Sequence, residues 1–138
     1  MKKLILIMVF AVVAMAASAQ KGRPIILEAD TLTDAETKYI VTPQFTGDDV
    51  LSVQVLFTQL TGTAGGTATF EGSVDGVSYV PITDAVGVLK GYPNDTLTIT
   101  DGAVTTWVLE KNNFYKYRVK LEGTGTQSTK VETAYIRK

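Results

Sequence analysis

Glu28, Glu71, Glu110, Glu122 and Glu132 could in principle supply the two carboxylates that glycoside hydrolysis uses, one as acid and one as base or nucleophile. Glu71 falls inside Thr69-Phe70-Glu71-Gly72, and Glu122 closes an alternating run, so both read as solvated positions on strand faces. Asp48, Asp49, Asp75, Asp95 and Asp101 are the hard-cation ligands on offer. Each stands beside Gly or Asn or in a cluster with them, which is ordinary turn chemistry, and no Asp-x-Asp-x-Asp-Gly loop is present. With His 0 and Cys 0, the chain has no Ser-His-Asp triad, imidazole proton shuttle, thiolate metal site or disulfide framework. No catalytic residue, metal or cofactor is expected, and the chain reads as non-enzymatic.

Binding residues are easier to find than reacting ones. Lys116, Arg118 and Lys120 form a basic row at period two, with Lys111 and Lys130 near in sequence. Glu110, Glu122 and Glu132 balance them, so the row reads first as a soluble outer face or a charge-guarded edge strand. Trp107, Tyr79, Tyr92 and Tyr115 are the rings that could stack on a sugar. Trp107 lies in Val104-Thr105-Thr106-Trp107-Val108-Leu109 and is expected in the core, whereas Tyr92, in Lys90-Gly91-Tyr92-Pro93, is expected on a loop. The candidate ligand surface is therefore Tyr92 with Lys116, Arg118 and Lys120. A formal net charge of -1 gives no electrostatic reason to expect nucleic acid as a partner. Gly62-Thr63-Ala64-Gly65-Gly66 lacks the following Lys-Ser/Thr of a phosphate loop and reads as a flexible hairpin connection.

The elements that must position these residues are strands. Twenty threonines lie between Thr31 and Thr133, among many Val and Tyr residues suited to a pleated surface. Tyr115, Tyr117, Val119 and Leu121 alternate with Lys116, Arg118, Lys120 and Glu122, predicting one buried and one charged face. Leu51, Val53, Val55 and Phe57 alternate with Ser52, Gln54, Leu56 and Thr58, where Leu56 breaks the polar side and suggests cover on both faces. Further strands are expected at 25–29, 39–45, 67–72, 78–82, 96–100, 105–109 and 130–136. Pro43 places the second of these at an edge or a bulge. The pairs Asp75-Gly76 and Asp101-Gly102 predict tight turns, because Gly accepts positive φ. About nine short strands at this spacing predict an all-β, two-sheet antiparallel β-sandwich, Ig-like or jelly-roll-like, with a barrel as the alternative. The expected core is Val53, Val55, Phe57, Phe70, Trp107, Tyr117, Val119 and Leu121.

Residues 1–19 differ from the rest. Lys2 and Lys3 precede an apolar stretch at 4–17, too short to span a bilayer as a helix, and Ala17-Ser18-Ala19 offers a small-x-small cleavage site. The segment reads as a signal peptide cut between Ala19 and Gln20, leaving a single sandwich domain at 20–138. A retained anchor or an apolar arm within an assembly is the alternative.

The run at 60–79, containing Gly72-Ser73-Val74-Asp75-Gly76-Val77-Ser78-Tyr79, and the run at 115–126, which ends in Gly123-Thr124-Gly125-Thr126, together carry a resemblance. They resemble small β-sandwich proteins encoded by tailed phages and prophages of gut bacteria, which are virion components. That resemblance implies an oligomeric structural protein such as a head decoration, head fibre or other surface module, with its own copies or virion proteins as partners. The shared positions are structural, so no functional residues are carried over. The signal-like N-terminus departs from the phage pattern, and Ser-x-Asp-Gly-x-x-Tyr is also found in carbohydrate-binding sandwiches. The second expectation is accordingly a secreted envelope binding or adhesion module with a surface glycan as ligand.

Overall fold

The computed structural model describes residues 24–44, 50–83, 96–110 and 113–137. Residues 1–19 with the Ala19–Gln20 junction, and the candidates Asp48, Asp49, Tyr92, Asp95 and Lys111, lie outside the described residues. Ten strands are present: β1 (Ile25–Ile26), β2 (Asp30–Thr33), β3 (Thr37–Val41), β4 (Leu51–Gly62), β5 (Gly66–Ser73), β6 (Val80–Pro81), β7 (Thr96–Thr98), β8 (Val104–Leu109), β9 (Lys116–Gly123) and β10 (Gln127–Arg137).

They form the expected two antiparallel sheets of a sandwich. In the first, β8, β4 and β10 lie side by side, and both β1 and β2 pair with the far side of β10. In the second, β3, β9 and β5 lie side by side, and β6 and β7 share the far side of β5. The two sheets thus repeat one plan, a long strand flanked on one side by two short ones placed end to end.

Alternation decides which face of each strand turns inward. On β9 Tyr117, Val119 and Leu121 are buried while Lys116, Arg118, Lys120 and Glu122 face outward and are half-buried. Leu51, Val53, Val55 and Phe57 do the same on β4. All eight expected core residues are buried. Phe70 lies between Trp107 and Tyr117, its centroid 5.5 Å and 5.6 Å from theirs with rings nearly parallel, and Phe114 meets Tyr117 edge-on at 5.8 Å. This stack joins β8 of the first sheet to β5 and β9 of the second, and aromatic pairs of this kind add to simple area burial.

The structure departs from several sequence expectations. The strand Asp30–Thr33 went unforeseen, because only Leu32 of its four residues is a buried apolar side chain. Conversely, 25–29 and 78–82 shrink to two-residue strands, each pairing with just one end of a longer neighbour. Tyr115, expected inward, is 39% exposed, since it precedes β9 and its ring rests beside Gly76. Pro43 follows β3, which is an edge strand as predicted. Gly62 to Gly66 is no hairpin: it carries the chain from β4 in the first sheet to β5 in the second. Gly62 has φ 70, and a Cβ there would stand 2.2 Å from the carbonyl oxygen of Thr126, so the crossing is open only to glycine.

Three such crossings converge at one end of the sandwich: β2 to β3, β4 to β5 and β9 to β10. Asp34, at φ 45, donates its N–H to the carbonyl of Gln127 and accepts the N–H of Gln127 on Oδ1. Gly123 donates to the carbonyl of Glu36 and Thr124 to that of Gly65. These bonds satisfy buried backbone where strand ladders have ended.

Candidate functional site

The outer face of the second sheet collects the basic row. Lys116, Arg118 and Lys120 all face outward from β9, as the alternation predicted, but β9 is the middle strand of its sheet and guards no edge. Arg118 is the centre of the face. Its Nε donates to Oε2 of Glu71 at 2.5 Å, and its guanidinium carbon lies 4.2 Å from the ring centroid of Tyr39 and 4.1 Å from that of Tyr79. A planar cation held between two rings is stabilised by their quadrupoles, and the carboxylate fixes its plane.

Glu71 is consequently not the solvated strand residue its sequence context suggested. It is 6% exposed, because the register sets it directly across from Arg118. Glu122, two residues along β9 beyond Lys120, pairs with Lys120 at 2.9 Å. Glu71 and Glu122, two of the five glutamates weighed for glycoside hydrolysis, are thus each engaged with a cation on their own face. Glu132 likewise pairs with Lys130 at 2.8 Å on the other sheet. Glu28 and Glu110 are exposed.

The aspartates in reach of description hold turns. Asp75 accepts from the backbone N–H of Val77 and Ser78 and from the hydroxyl of Ser73 at 2.7–2.8 Å. These donors, the Val77 N–H first, hold its carboxyl well below the ordinary carboxylate range. Asp101 accepts the N–H of Gln59 at 2.8 Å. Among the described residues, no three Asp, Glu, His or Cys side chains gather as a metal site would require.

Of the rings, Trp107 is fully buried, Tyr79 flanks Arg118, and Tyr115 lies under the ammonium of Lys116 at 5.9 Å from its centroid. Tyr39 was missed. It is 49% exposed, and the only signal for it was its odd place in Thr37-Lys38-Tyr39-Ile40-Val41, where Ile40 is the inward residue.

The outer face of the first sheet is a different surface. No residue of β4 or β8 is charged, and the outward positions Leu56, Val104 and Val108 are apolar. Beside them on β10 and β1 lie Ala134, Ile136 and Ile26, with Ile26 78% exposed and Val104 55%. Leu56 had flagged this face by breaking the polar side of its strand; the other members come from strands far apart in sequence.

No known family's sequence profile matches the chain, and no curated protein matches it. A solved structure of Bacillus endospore appendages, described as forming a novel family of disulfide-linked pili, is similar at 17% identity, over 85% of this chain and 88% of that one, with a TM-score of 0.46.

Proposed function

We propose that this chain is a non-enzymatic structural subunit that works by β-sandwich contacts with other subunits outside the cytoplasm. The observation that carries this reading is the charge-free outer face of β4 and β8, with Ile26 and Val104 standing exposed at its margins. Leu56, Val104 and Val108 stand there among the uncharged polar side chains of Ser52, Gln54 and Thr106, and apolar side chains gathered on one exposed face mark places where proteins meet. In its finer form the subunit is a component of a tailed-phage virion, a head decoration, head fibre or other surface module. The resemblance of the runs at 60–79 and 115–126 supports that form. Mass spectrometry of particles purified from the source tests it: a stoichiometric band of this chain is expected, and particles devoid of it overturn the virion form.

The second reading is an exported envelope binding or adhesion module that takes a surface glycan. The stack of Tyr39, Arg118 and Tyr79 favours it, since exposed ring edges beside an oriented guanidinium suit a sugar that carries acid groups. Glycan-array binding that disappears in Tyr39→Ala supports this module. A flat array across neutral and acidic glycans removes it.

A further inference from the structure

Two shallow hollows lie side by side on the outer face of the first sheet, of about 210 and about 230 Å³. Gln54 and Ala134, paired across β4 and β10, line both and form the saddle between them. One hollow is closed by Ser52, Thr106 and Ile136, the other by Ile26, Leu56 and Glu132, whose carboxylate is bridged to Lys130. The cause is side-chain size: Ala134 and Ser52 are short, while their outward neighbours are long.

We propose that this face is where two copies of the chain pair, sheet against sheet, about a two-fold axis passing near Ala134 and Gln54. The inference rests on the reading of the chain as an assembling subunit and names the surface it uses. Charge selects the occupant. The ionised pair on this face, Lys130 and Glu132, is bridged at 2.8 Å and neutralises itself, and β4 and β8 contribute no charge. A charged partner gains nothing here and loses its hydration. The opposite face is the more charged of the two, with Arg118 bridged to Glu71, Lys120 bridged to Glu122, and Lys116 lying over the Tyr115 ring. A surface of no net charge that mixes apolar and uncharged polar side chains is the complement of the first sheet's outer face, and among the described residues that face is itself such a surface.

Shape agrees with charge. An isologous contact requires a patch that carries both projection and recess, so that residue i meets j while j meets i. Ile26 projects at 78% exposure beside the Ala134 saddle, and an apolar side chain of that size fits a hollow of about 230 Å³.

The absence of cysteine makes the test direct. Ala134→Cys and, as control on the other sheet, Thr37→Cys are prepared in the full chain as isolated from its expressing cells. Each is treated with a short bis-maleimide and sized by sedimentation. Ala134→Cys is expected to cross-link to a dimer, Thr37→Cys is expected not to, and Ala134→Arg is expected to weaken self-association at least about 30-fold. A dimer that cross-links through Thr37→Cys and ignores Ala134→Arg overturns the surface while leaving the assembling subunit standing. A chain that sediments as a monomer at every concentration overturns both. A monomeric Ala134→Cys variant whose thiol resists a water-soluble maleimide also overturns the pairing, and identifies another part of the chain as the cover.

Discussion

The side-chain amide of Gln127 brackets the backbone of Gly65, its Oε1 accepting the Gly65 N–H at 3.0 Å and its Nε2 donating to the Gly65 carbonyl. One glutamine at the start of β10 therefore ties the β4–β5 crossing to the β9–β10 crossing. The same Nε2 also donates to the carbonyl of Thr124, and Thr129 donates its hydroxyl to Oε1 at 2.8 Å. Gln127 is 3% exposed, and removing its amide takes the acceptor from the half-buried Gly65 N–H, while the Gly65 carbonyl keeps the Thr124 N–H. Gln127→Ala is expected to cost about 1–3 kcal/mol in urea unfolding. Amide exchange at Gly65 is expected to accelerate more than exchange at Val119, because the damage is local. Equal acceleration at both sites would contradict the role given to Gln127.

Gly72 and Phe114 share one space. A Cβ on Gly72 would lie 2.6 Å from the Phe114 ring, which is packed edge-on against Tyr117. Gly72→Ala is expected to destabilise the fold by about 1–3 kcal/mol, as overpacking does. Combined with Phe114→Leu, it is expected to cost less than the two single changes added together. Strict additivity in the double-mutant cycle would show that the ring is not what the new methyl meets.

Thr133 turns its side chain into the core at 2% exposure, and its Oγ1 has no hydrogen-bond partner among the described residues. Valine has nearly the same shape and no hydroxyl to desolvate. Thr133→Val is expected to stabilise the protein by about 1 kcal/mol, read as a higher urea midpoint with unchanged slope. A lower midpoint would mean that the hydroxyl is satisfied after all.

Arg118→Ala leaves the buried Glu71 carboxylate without its cation and uncovers the rings of Tyr39 and Tyr79. A cost of about 2–4 kcal/mol is expected, below the full figure for a deep pair because Arg118 retains some contact with solvent. Glu71→Gln in the Arg118→Ala background is expected to restore part of that loss, since no charge is then left buried. If Glu71→Gln worsens the variant, the penalty does not come from the orphaned charge.

The turn at Asp75 predicts a pH dependence. Its carboxyl is held below its ordinary value of 3.8 by the backbone N–H groups of Val77 and Ser78 and the Ser73 hydroxyl. The folded value lies below the unfolded one, so this contribution is full above the unfolded value and fades as pH falls below it. Asp75→Asn is therefore expected to be less stable than the wild type at about pH 7, and the difference is expected to shrink by about pH 2.5. A gap that stays constant across that range would assign the effect to shape and not to charge.

How much of the fold could be read from the sequence depended on the range over which the signal acts. Tyr117, Val119 and Leu121 were assigned inward from a period of two within one strand, and they are inward. Gly76 and Gly102 take φ 77 and φ 70 at the two Asp-Gly turns, as that dipeptide foretold. Gly62 through Gly66 misled because glycine marks a sharp change of direction without saying whether the next strand pairs with the last. Glu71 misled for a related reason: only the partner across the ladder tells a solvated carboxylate from a paired one.

The sequence by itself determined the all-β character, the inward face of each long strand and the turns made by Asp-Gly pairs. These follow from side-chain branching, alternation and backbone freedom, which act within a few residues. Tertiary structure alone decided strand partners. Among the described strands β5 and β6 are the consecutive pair that hydrogen-bond to each other, while β10 pairs with β1, β2 and β4 across most of the chain. Those distant pairings brought Tyr39, Arg118 and Tyr79 together on one sheet and gathered Ile26, Leu56, Val104 and Ala134 on the other. Backbone hydrogen bonds are the same for every residue type, so pairing is settled by which set of faces packs into one dry core, and only the folded chain expresses that choice.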